Sequence, residues 1–445
     1  MEIFSSLNKE QKQAVGLLSI GTFLEYFDLM LYVHMAVLLN ELFFPQTDPH
    51  TAKLLAAFAF CSTYIFRPVG ALIFGFIGDH VGRKVTVILT IMFMSLSCVF
   101  MANLPTYAQI GITASWIVTI CRIVQGISSM GELTGAQLYL SEFIKPPARY
   151  SCVALIAVAS AVGGAASLAI ASIVMSFGFN WRIIFGIGAV IAIVGTAARV
   201  FLRETPDFMR AKRAVARDPS LETVKTFVTR VNHKTSLALF LIDCMWPLCF
   251  YFSYMHCGII LKDSFSYGAE QIIHQNFIVS IVQIATYLLF VFLSYRIYPL
   301  KILKFKLLIS AIIILSYPYW LNHLQSDFHV LLLQSSIIFF AADASPATSI
   351  FYKYFPVLKR FTYISFMHAL SRAVIYVIAS FGLVYLTKYF GSWGTLIITI
   401  PVFAGYAFGL RHFEKLEKEG SIEQQNKNQP SSYIPTPNLS LSKNL

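Results

Sequence analysis

Long apolar runs recur along almost the whole sequence and limit its fold more than any other feature. Each run covers about 20 residues, the length that a helix needs to cross a hydrocarbon core of about 30 Å. A lipid-exposed backbone must satisfy its own hydrogen bonds, and the runs are too continuous for alternating barrel strands, so we predict transmembrane helices. About twelve runs are visible, near residues 14–38, 51–77, 86–105, 112–141, 151–176, 183–202, 236–260, 271–294, 305–321, 329–350, 362–387 and 391–411.

The composition agrees with a chain that lives in lipid. Of the 445 residues, 57% are hydrophobic and only 13% are charged, and the mean hydropathy is +0.66. A soluble chain of this length does not carry so few charges. The sequence therefore predicts an all-α integral membrane protein.

The net charge of +12 is distributed as in a membrane protein and not as in a nucleic-acid-binding protein. Basic residues cluster in alternate connections between the apolar runs, while Arg182, Lys262 and Lys388 are the exceptions in the others. Loops rich in Lys and Arg stay in the cytoplasm. We therefore expect a multi-pass protein of the cell (inner) membrane with both termini in the cytoplasm.

The spans divide into two groups of about six. We expect an N-terminal half at residues 1–202, a cytoplasmic connecting loop at 203–235, a C-terminal half at 236–412 and a disordered cytoplasmic tail at 413–445. The connecting loop is polar and basic, and the tail is rich in Asn, Gln, Ser and Pro. Two six-helix halves around a central cleft form an architecture in which transporters rock one half against the other.

Enzyme chemistry has no signature in this sequence. There is no P-loop for a nucleotide and no nucleophile with a base in a defined setting. The seven cysteines lie in or beside apolar spans and have no metal-ligand spacing. We therefore expect no enzyme activity, no metal and no cofactor, and transport would be driven by an ion gradient.

The stretch GTFLEYFDLMLY, residues 21–32, places Glu25 and Asp28 inside the first apolar span. Two acids at the centre of a helix cost about 5 to 7 kcal/mol of insertion energy, which cancels most of the roughly −7 kcal/mol from its apolar residues. The acids are three positions apart and so share one helix face. We interpret them as functional groups that face the cleft between the halves.

Arg122, in the fourth span, is the expected partner of Asp28. Asp28 lies roughly 21 Å along its helix, and Arg122 reaches a similar depth on a helix that runs in the opposite direction. One interpretation is a proton switch, in which separation of the pair leads Asp28 to bind a proton. The other is a permanent structural ion pair. Gln125 lies on the same face as Arg122 and is a candidate substrate ligand.

Other ionisable residues also fall at membrane depth. Arg67 is predicted to pair with Glu132, or to face Glu25, in a structural or gating role. In the second half, Arg372 either binds a substrate carboxylate or pairs with Asp343. Asp243 and Asp343 are further candidate substrate ligands, and so is Glu25, which either tunes Asp28 or contacts a cationic group of the substrate. His34, His256 and His368 are interpreted as packed neutral side chains.

The connection after the second span reads GFIGDHVGRK and carries a compact set of loop residues. The glycines allow a tight turn with close helix approach, and Asp79 can interact with a helix N-terminus or with a neighbouring Arg. Glu142, at the end of the fourth span, is expected to reach Arg83 as a cytoplasmic latch. The predicted gating set is Gly75, Asp79, Gly82, Arg83, Lys84 and Glu142.

This loop resembles the signature loop of the major facilitator superfamily. FRPVGALIFGFIGDHVGRK from Phe66, RIVQGISSMGELTGA from Arg122, NWRIIF from Asn180 and RETPDF from Arg203 resemble the metabolite:proton symporter family, as does GTFLEYFDLMLY. These matches cover about the first 210 residues. In the second half, VFLSYRIYPLK and KYFPVLKR depart from the family's repeated loops.

The resemblance implies the major facilitator fold and a proton-coupled symporter. We expect import of a small zwitterionic or carboxylate metabolite such as proline or betaine, with the proton carried at Asp28 and Glu25 near Arg122. The alternatives are a dicarboxylate or organic-acid:proton symporter of the same family, an efflux antiporter, and a non-transporting sensor. The expected partners are the small-molecule substrate, the proton and the lipid bilayer, with no nucleic acid.

Overall fold

The computed structural model describes residues 6–45, 48–80, 83–129, 132–199, 213, 232–357 and 359–428. Within these residues the helices follow one another in twelve runs, and each predicted apolar span overlaps one run. Several runs contain a break, often next to a proline, whose missing N–H interrupts the helical hydrogen bonds. The described chain is therefore helical, as predicted.

The first six runs contain ten helices. They are α1 (Lys9–His34) with α2 (Ala36–Phe43), α3 (Pro49–Ile65) with α4 (Arg67–His80), α5 (Arg83–Asn103), α6 (Tyr107–Ile110) with α7 (Ile112–Ser128) and α8 (Glu132–Phe143), α9 (Ala148–Ser176), and α10 (Arg182–Arg199).

The last six runs contain ten α-helices, one π-helical turn and one 3₁₀ turn. They are α11 (His233–Asp243), α12 (Met245–Phe250), the π-turn Tyr251–His256 and α13 (Cys257–Phe265) in one run, α14 (Ala269–Arg296), α15 (Pro299–Leu315) with α16 (Tyr317–Asn322), α17 (Asp327–Phe340) with α18 (Thr348–Tyr352), α19 (Arg360–Phe390), and the 3₁₀ turn Gly391–Gly394 with α20 (Thr395–Asn428).

Seven helical stretches in the described residues are long and apolar enough to cross a membrane. This number is smaller than the number of runs because some runs are too short or too broken, and because Arg360–Gly420 counts as one stretch although the 3₁₀ turn at Gly391 divides it. Large apolar side chains also point outward, with Phe76 at 61%, Trp116 at 61% and Leu308 at 64% exposure. So extensive an apolar surface is expected where lipid, and not water, surrounds the helices.

The two groups of runs pack against each other along two seams. One seam joins α9 to α14, and the other joins α3 and α4 to α19. We call the end where α1 begins the terminal end of the bundle; there Gln11 Nε2 donates to the carbonyl of Phe143 over 3.3 Å. The other is the opposite end.

The C-terminal helix corrects one prediction. α20 continues to Asn428, so residues 413–428 are helical and the predicted disordered tail begins too early. Glu414 binds Lys304 over 2.7 Å and also lies 3.5 Å from Lys418, one helical turn on. The contact with Lys304 holds the polar extension against α15. Residues 429–445 and most of the predicted connecting loop at 203–235 lie outside the described residues.

Glycine allows the run of α3 and α4 to touch α7 at two points. A Cβ atom on Gly126 would lie 1.8 Å from the carbonyl oxygen of Thr63, and one on Gly70 would lie 2.3 Å from that of Ile127. Neither backbone oxygen can move away without separating the helices. Small residues at a membrane helix interface permit this close approach.

We expect Gly126→Ala to destabilise the bundle by about 2 kcal/mol or more, because the added methyl group overlaps backbone atoms. The measurement is the thermal unfolding of purified protein in detergent. Gly186→Ala is the matched control, since a Cβ there meets nothing within 4 Å. Equal unfolding temperatures for the two variants would contradict the close approach.

Candidate functional site

A central cavity of about 100 Å³ lies between the two groups of runs. Most of its wall is apolar and aromatic, and a small number of charged and amide groups point into it. This combination is typical of sites for small molecules. The polar lining includes Arg67, Gln137, Asp243, Gln283, Asp343, His368 and Arg372, and the aromatic lining includes Tyr26, Tyr64, Trp246, Phe250, Tyr254, Tyr287 and Tyr376.

Glu25 and Asp28 are both buried, with 7% and 2% exposure, but they have different surroundings. Glu25 lines a small cavity of about 10 Å³ together with Arg67 and His368. Asp28 points toward α10, where its Oδ1 atom is 2.9 Å from the place that a Cβ of Gly188 would occupy. Asp28 is not among the residues that line the central cavity. The two acids are therefore close in sequence but do not share one pocket.

Arg122 lies deep among the first six runs with 1% exposure. Its guanidinium carbon is 3.8 Å from the centroid of the Tyr32 ring, and its Nη1 donates to Gln125 Oε1 over 3.0 Å. Among the described residues, its Nε and Nη2 atoms have no hydrogen-bond partner. Asp28 and Arg122 both lie within electrostatic range of the Cys98 thiol. Their direct pairing stays a prediction.

Gln125 is fully buried and does not line the central cavity. It accepts from Arg122, and its amide nitrogen is 3.7 Å from Cys98 Sγ and 3.7 Å from Met101 Sδ. In this conformation it orients Arg122 and is not placed to touch a ligand in the cavity.

Arg67 lines both the central and the small cavity, with 4% exposure. Its guanidinium carbon is 4.3 Å from the centroid of the Tyr64 ring. Glu25 shares the small cavity with Arg67, which favours the second of the two predicted arrangements. The side chain of Glu132 lies outside the described residues, so the Arg67–Glu132 pair stays a prediction.

Three polar residues of the last six runs meet at the cavity. Asp243 Oδ2 lies 3.5 Å from His368 Nδ1. Arg372, one turn after His368, donates from Nη1 to the His368 carbonyl over 3.3 Å. Arg372 is 7% exposed and lines the cavity.

Asp343 does not pair with Arg372, which corrects one of the two alternatives for that arginine. Its ion-pair partner is Lys306, whose Nζ binds Asp343 Oδ1. Lys306 was not among the predicted site residues because it stands at the start of an apolar span, just after the basic residues Lys301 and Lys304. With 1% exposure, Lys306 lies in the interior.

The terminal end of the bundle is closed by contacts between the two groups of runs. Arg360 Nη1 binds Glu142 Oε1 over 2.8 Å, with side-chain exposures of 12% and 2%. Tyr352 donates to Gln137 Oε1 over 3.1 Å. Among the described side chains, Glu142 has Arg360 as its partner, and the expected contact between Glu142 and Arg83 stays a prediction. Gly82 and the side chains of Arg83 and Lys84 lie outside the described residues.

Asp79 interacts with a helix N-terminus, as one of the two sequence alternatives predicted. Its Oδ2 atom accepts from the Thr362 backbone N–H over 3.3 Å and from the Thr362 hydroxyl, in the first turn of α19. A carboxylate is stabilised there by the helix dipole. Gly75 keeps α4 close, since a Cβ there would lie 2.9 Å from the Thr362 hydroxyl.

The opposite end holds a larger cavity of about 500 Å³, which we call the vestibule. Two solvent-exposed ion pairs join the groups of runs at its rim, Lys53–Asp263 at 2.7 Å and Lys262–Glu41 at 2.9 Å. His34 lines both the vestibule and the central cavity. The buried Glu142–Arg360 pair thus lies at the terminal end, and the larger cavity lies at the opposite end.

Comparison with known proteins gives a family and a fold. The family described as "Sugar (and other) transporter" matches residues 15–298. The structure of the major facilitator superfamily proton:xylose symporter XylE bound to 6-bromo-6-deoxy-D-glucose matches with a TM-score of 0.74 and 13% identity, over 91% of this chain and 95% of that one. This likeness confirms the predicted fold.

Two curated relatives each match slightly less than half of the chain. A proline/betaine transporter of Salmonella typhimurium is 33% identical over 206 residues, which are 45% of this chain and 41% of that protein. The inner membrane metabolite transport protein YhjE of Escherichia coli is 33% identical over 219 residues, 47% of this chain and 50% of that protein. The matched part thus spans half or less of each relative.

Proposed function

Because this chain belongs to the sugar (and other) transporter family of the major facilitator superfamily, we propose that it is a proton-coupled symporter. It imports a small zwitterionic or carboxylate metabolite, such as proline or betaine, by alternating access. The observation that carries this proposal is the central cavity, which places buried charges of both signs and several aromatic faces between the two groups of runs.

Arg372 is the proposed ligand of the substrate carboxylate. Its Nη1 donates to a backbone carbonyl, and no carboxylate in the described part of the chain forms an ion pair with it, so a ligand in the cavity can supply that carboxylate. An arginine binds a carboxylate through two parallel N–H donors. Asp243 lies 3.5 Å from His368 Nδ1, and the His368 carbonyl accepts from Arg372. These two residues therefore hold the Arg372 side chain in place.

The cationic group of the substrate has an aromatic wall to face. The Phe250 and Tyr254 rings are 4.9 Å apart between centroids, and Trp246 is 5.9 Å from Tyr287 and 6.2 Å from Phe250. All four rings line the central cavity. Aromatic faces attract ammonium groups, and proline/betaine transport is what the first relative is named for.

Asp28, Glu25 and Arg122 are the proposed proton-coupling group. Arg122 is buried with donors left over, so a carboxylate that approaches it is held ionised, and one that moves away binds a proton. The side chain of Asp28 lies where α1 contacts α10. Movement of these helices relative to each other would change its distance from Arg122. Glu25 beside Arg67 connects this group to the central cavity.

Alternating access is assigned to the contacts at the two ends. Glu142–Arg360 and Asp79–Thr362 close the terminal end and must separate for release there. The vestibule is the proposed entry route. We further propose that the terminal end, with both termini, faces the cytoplasm of a cell with this protein in its inner membrane, since basic residues gather in the connections at that end.

An organic-acid:proton symporter is the second candidate. Arg67 and Arg372 both lie within electrostatic range of Tyr26, which lines the cavity. Two guanidinium groups around one small cavity also suit a dicarboxylate. The efflux antiporter would move its substrate in the direction opposite to the proton, and the same assay separates it.

Uptake into proteoliposomes with an imposed pH gradient tests the proposal. Labelled proline and glycine betaine are expected to accumulate when the outside is more acidic, and uptake should stop when a protonophore removes the gradient. Accumulation of labelled succinate, with no accumulation of proline or betaine, would favour the organic-acid symporter. Gradient-independent uptake of every probe would contradict proton coupling, and accumulation only under the reversed gradient would identify an antiporter.

A further inference from the structure

Lys306 and Asp343 form an ion pair that the proposed mechanism does not use. Lys306 lies on α15 with 1% exposure, and Asp343 has 6% exposure. The ammonium group of Lys306 is also 4.4 Å from the centroid of the Phe290 ring. Asp343 lines the central cavity, and Lys306 is held behind it, away from the cavity surface.

The pair lies at a break in a membrane-spanning run. α17 ends at Phe340 and α18 begins at Thr348, so Asp343 stands in non-helical backbone. Its carbonyl accepts from the Tyr406 hydroxyl over 3.2 Å. Non-helical backbone at membrane depth is tolerated where it lines a cavity, and transporter substrates bind at such breaks.

Burying two opposite charges is costly even when they are paired, and apolar residues of similar size often serve stability as well. A buried pair is therefore weak support for a purely structural role, while a switch is a well-attested use. The location of Asp343 on the cavity wall supplies what a switch requires, since a ligand in the cavity can reach it.

The other groups that face Asp343 are neutral or distant. Tyr287 on α14, Cys249 on α12 and Tyr406 on α20 are within electrostatic range of its carboxylate. Asp243 is within electrostatic range of Tyr406. Among these described groups, Lys306 is the only cation in contact with Asp343.

We propose that Lys306 is a second carboxylate site of the central cavity, with Asp343 as the group that a substrate carboxylate replaces. The inference rests on the proposed function and names a coupling site within it. The proton that the Asp28, Glu25 and Arg122 group takes up is passed on to the Asp343 carboxylate and neutralises it. The neutral Asp343 side chain then turns away from Lys306, which opens the ammonium group to the cavity, and Lys306 donates its N–H groups to the carboxylate of the substrate.

The exchange conserves charge at the site. Before binding, one ammonium faces one carboxylate of the protein, and afterwards the same ammonium faces one carboxylate of the substrate beside a neutral carboxyl group. Entry of the proton alone, or of the anion alone, would leave a buried charge uncompensated, which is strongly unfavourable. Each therefore favours binding of the other, as linkage requires.

Thermal unfolding of purified full-length protein tests this exchange. Asp343→Asn imitates the protonated state, and Lys306→Met/Asp343→Asn removes both charges. The probes are proline, glycine betaine and succinate, with prolinamide as the control that lacks a carboxylate. We expect Asp343→Asn to unfold at a lower temperature than the natural protein and to be stabilised by a carboxylate probe by about 3 °C or more beyond the shift in the natural protein. We expect prolinamide to add nothing, and the double variant to keep only a smaller carboxylate shift than the natural protein, because Arg372 alone then binds the carboxylate.

A carboxylate shift of equal size in all three proteins would overturn the proposal and leave the proposed function standing, since the substrate would then bind elsewhere. If no carboxylate stabilises any of them, this site is also refuted, while the proposed function is judged separately by uptake. If Asp343→Asn does not fold, the natural protein and the double variant decide: a smaller carboxylate shift in the double variant supports the exchange, and a shift of equal size refutes it.

Discussion

Asp28→Asn is expected to abolish accumulation against a gradient while leaving exchange of substrate across the membrane intact. The amide cannot be charged or bind a proton as a carboxylate does, so the cycle no longer alternates between two protonation states near Arg122. With one proton per substrate, a gradient of 2 pH units supports a concentration ratio of about 100, because each unit contributes about 1.4 kcal/mol. In the variant the ratio is expected to fall to about 1.

Two measurements on the same proteoliposomes isolate this effect. Counterflow, with unlabelled substrate inside and no pH gradient, reports binding and movement without proton coupling and should stay within about threefold of the natural protein. Asp327→Asn is the matched control, because Asp327 is an exposed acid at the start of α17. An Asp28→Asn protein that still concentrates substrate would remove Asp28 from the coupling group, and one that loses counterflow as well would point to a structural role.

Glu142→Gln is expected to open the terminal end of the bundle. The Glu142–Arg360 pair joins α8 to α19 at 2.8 Å with little solvent. Removing one partner of a buried pair costs about 3 kcal/mol or more, which is roughly a hundredfold in the ratio of closed to open states. Spin labels on the exposed positions Lys145 and Lys301, one in each group of runs, should then show a longer distance distribution.

Lys304→Gln is the control for this second prediction. Lys304 binds Glu414 over 2.7 Å, but 51% of its side chain is exposed and both partners belong to the last six runs. An exposed ion pair contributes about 1 kcal/mol or less, so its loss should leave the label distances unchanged. Identical distance distributions for Glu142→Gln and the natural protein would mean that other contacts close this end.

The sequence alone predicted the helical spans because the bilayer allows few alternatives. A run of apolar residues in lipid must be helical, and its length and position follow directly from hydropathy. The interaction of Asp79 with the start of α19 could also be predicted as one of two alternatives, since an acid in a tight loop suits a helix N-terminus. These features depend on local sequence and on the solvent.

The partners of buried charges were not predictable in the same way. Lys306 resembled a loop residue by hydropathy, and only the packing of α15 beside the break at Asp343 shows that it is buried. Likewise, Glu25 and Asp28 share a helix face by spacing, yet α10 approaches one acid through Gly188 while the cavity reaches the other. Such pairings are set by the angle and distance between helices distant in sequence.

The helical extension of α20 was predicted as a disordered tail for a different reason. Its composition is polar and favours disorder, but contacts with neighbouring segments stabilise a helix there. Tyr298 donates to Glu417 Oε2 over 2.6 Å, and Glu414 binds Lys304 over 2.7 Å. Tertiary contacts thus outweigh a weak local tendency.

Proton movement that is driven by substrate tests the central claim most directly. Proteoliposomes with the purified protein, no initial pH gradient and a pH-sensitive dye inside would receive proline or glycine betaine outside. A symporter carries protons inward with the substrate, so the account predicts acidification of the interior that a protonophore abolishes and that Asp28→Asn does not show. Entry of labelled substrate with no change of internal pH would contradict it.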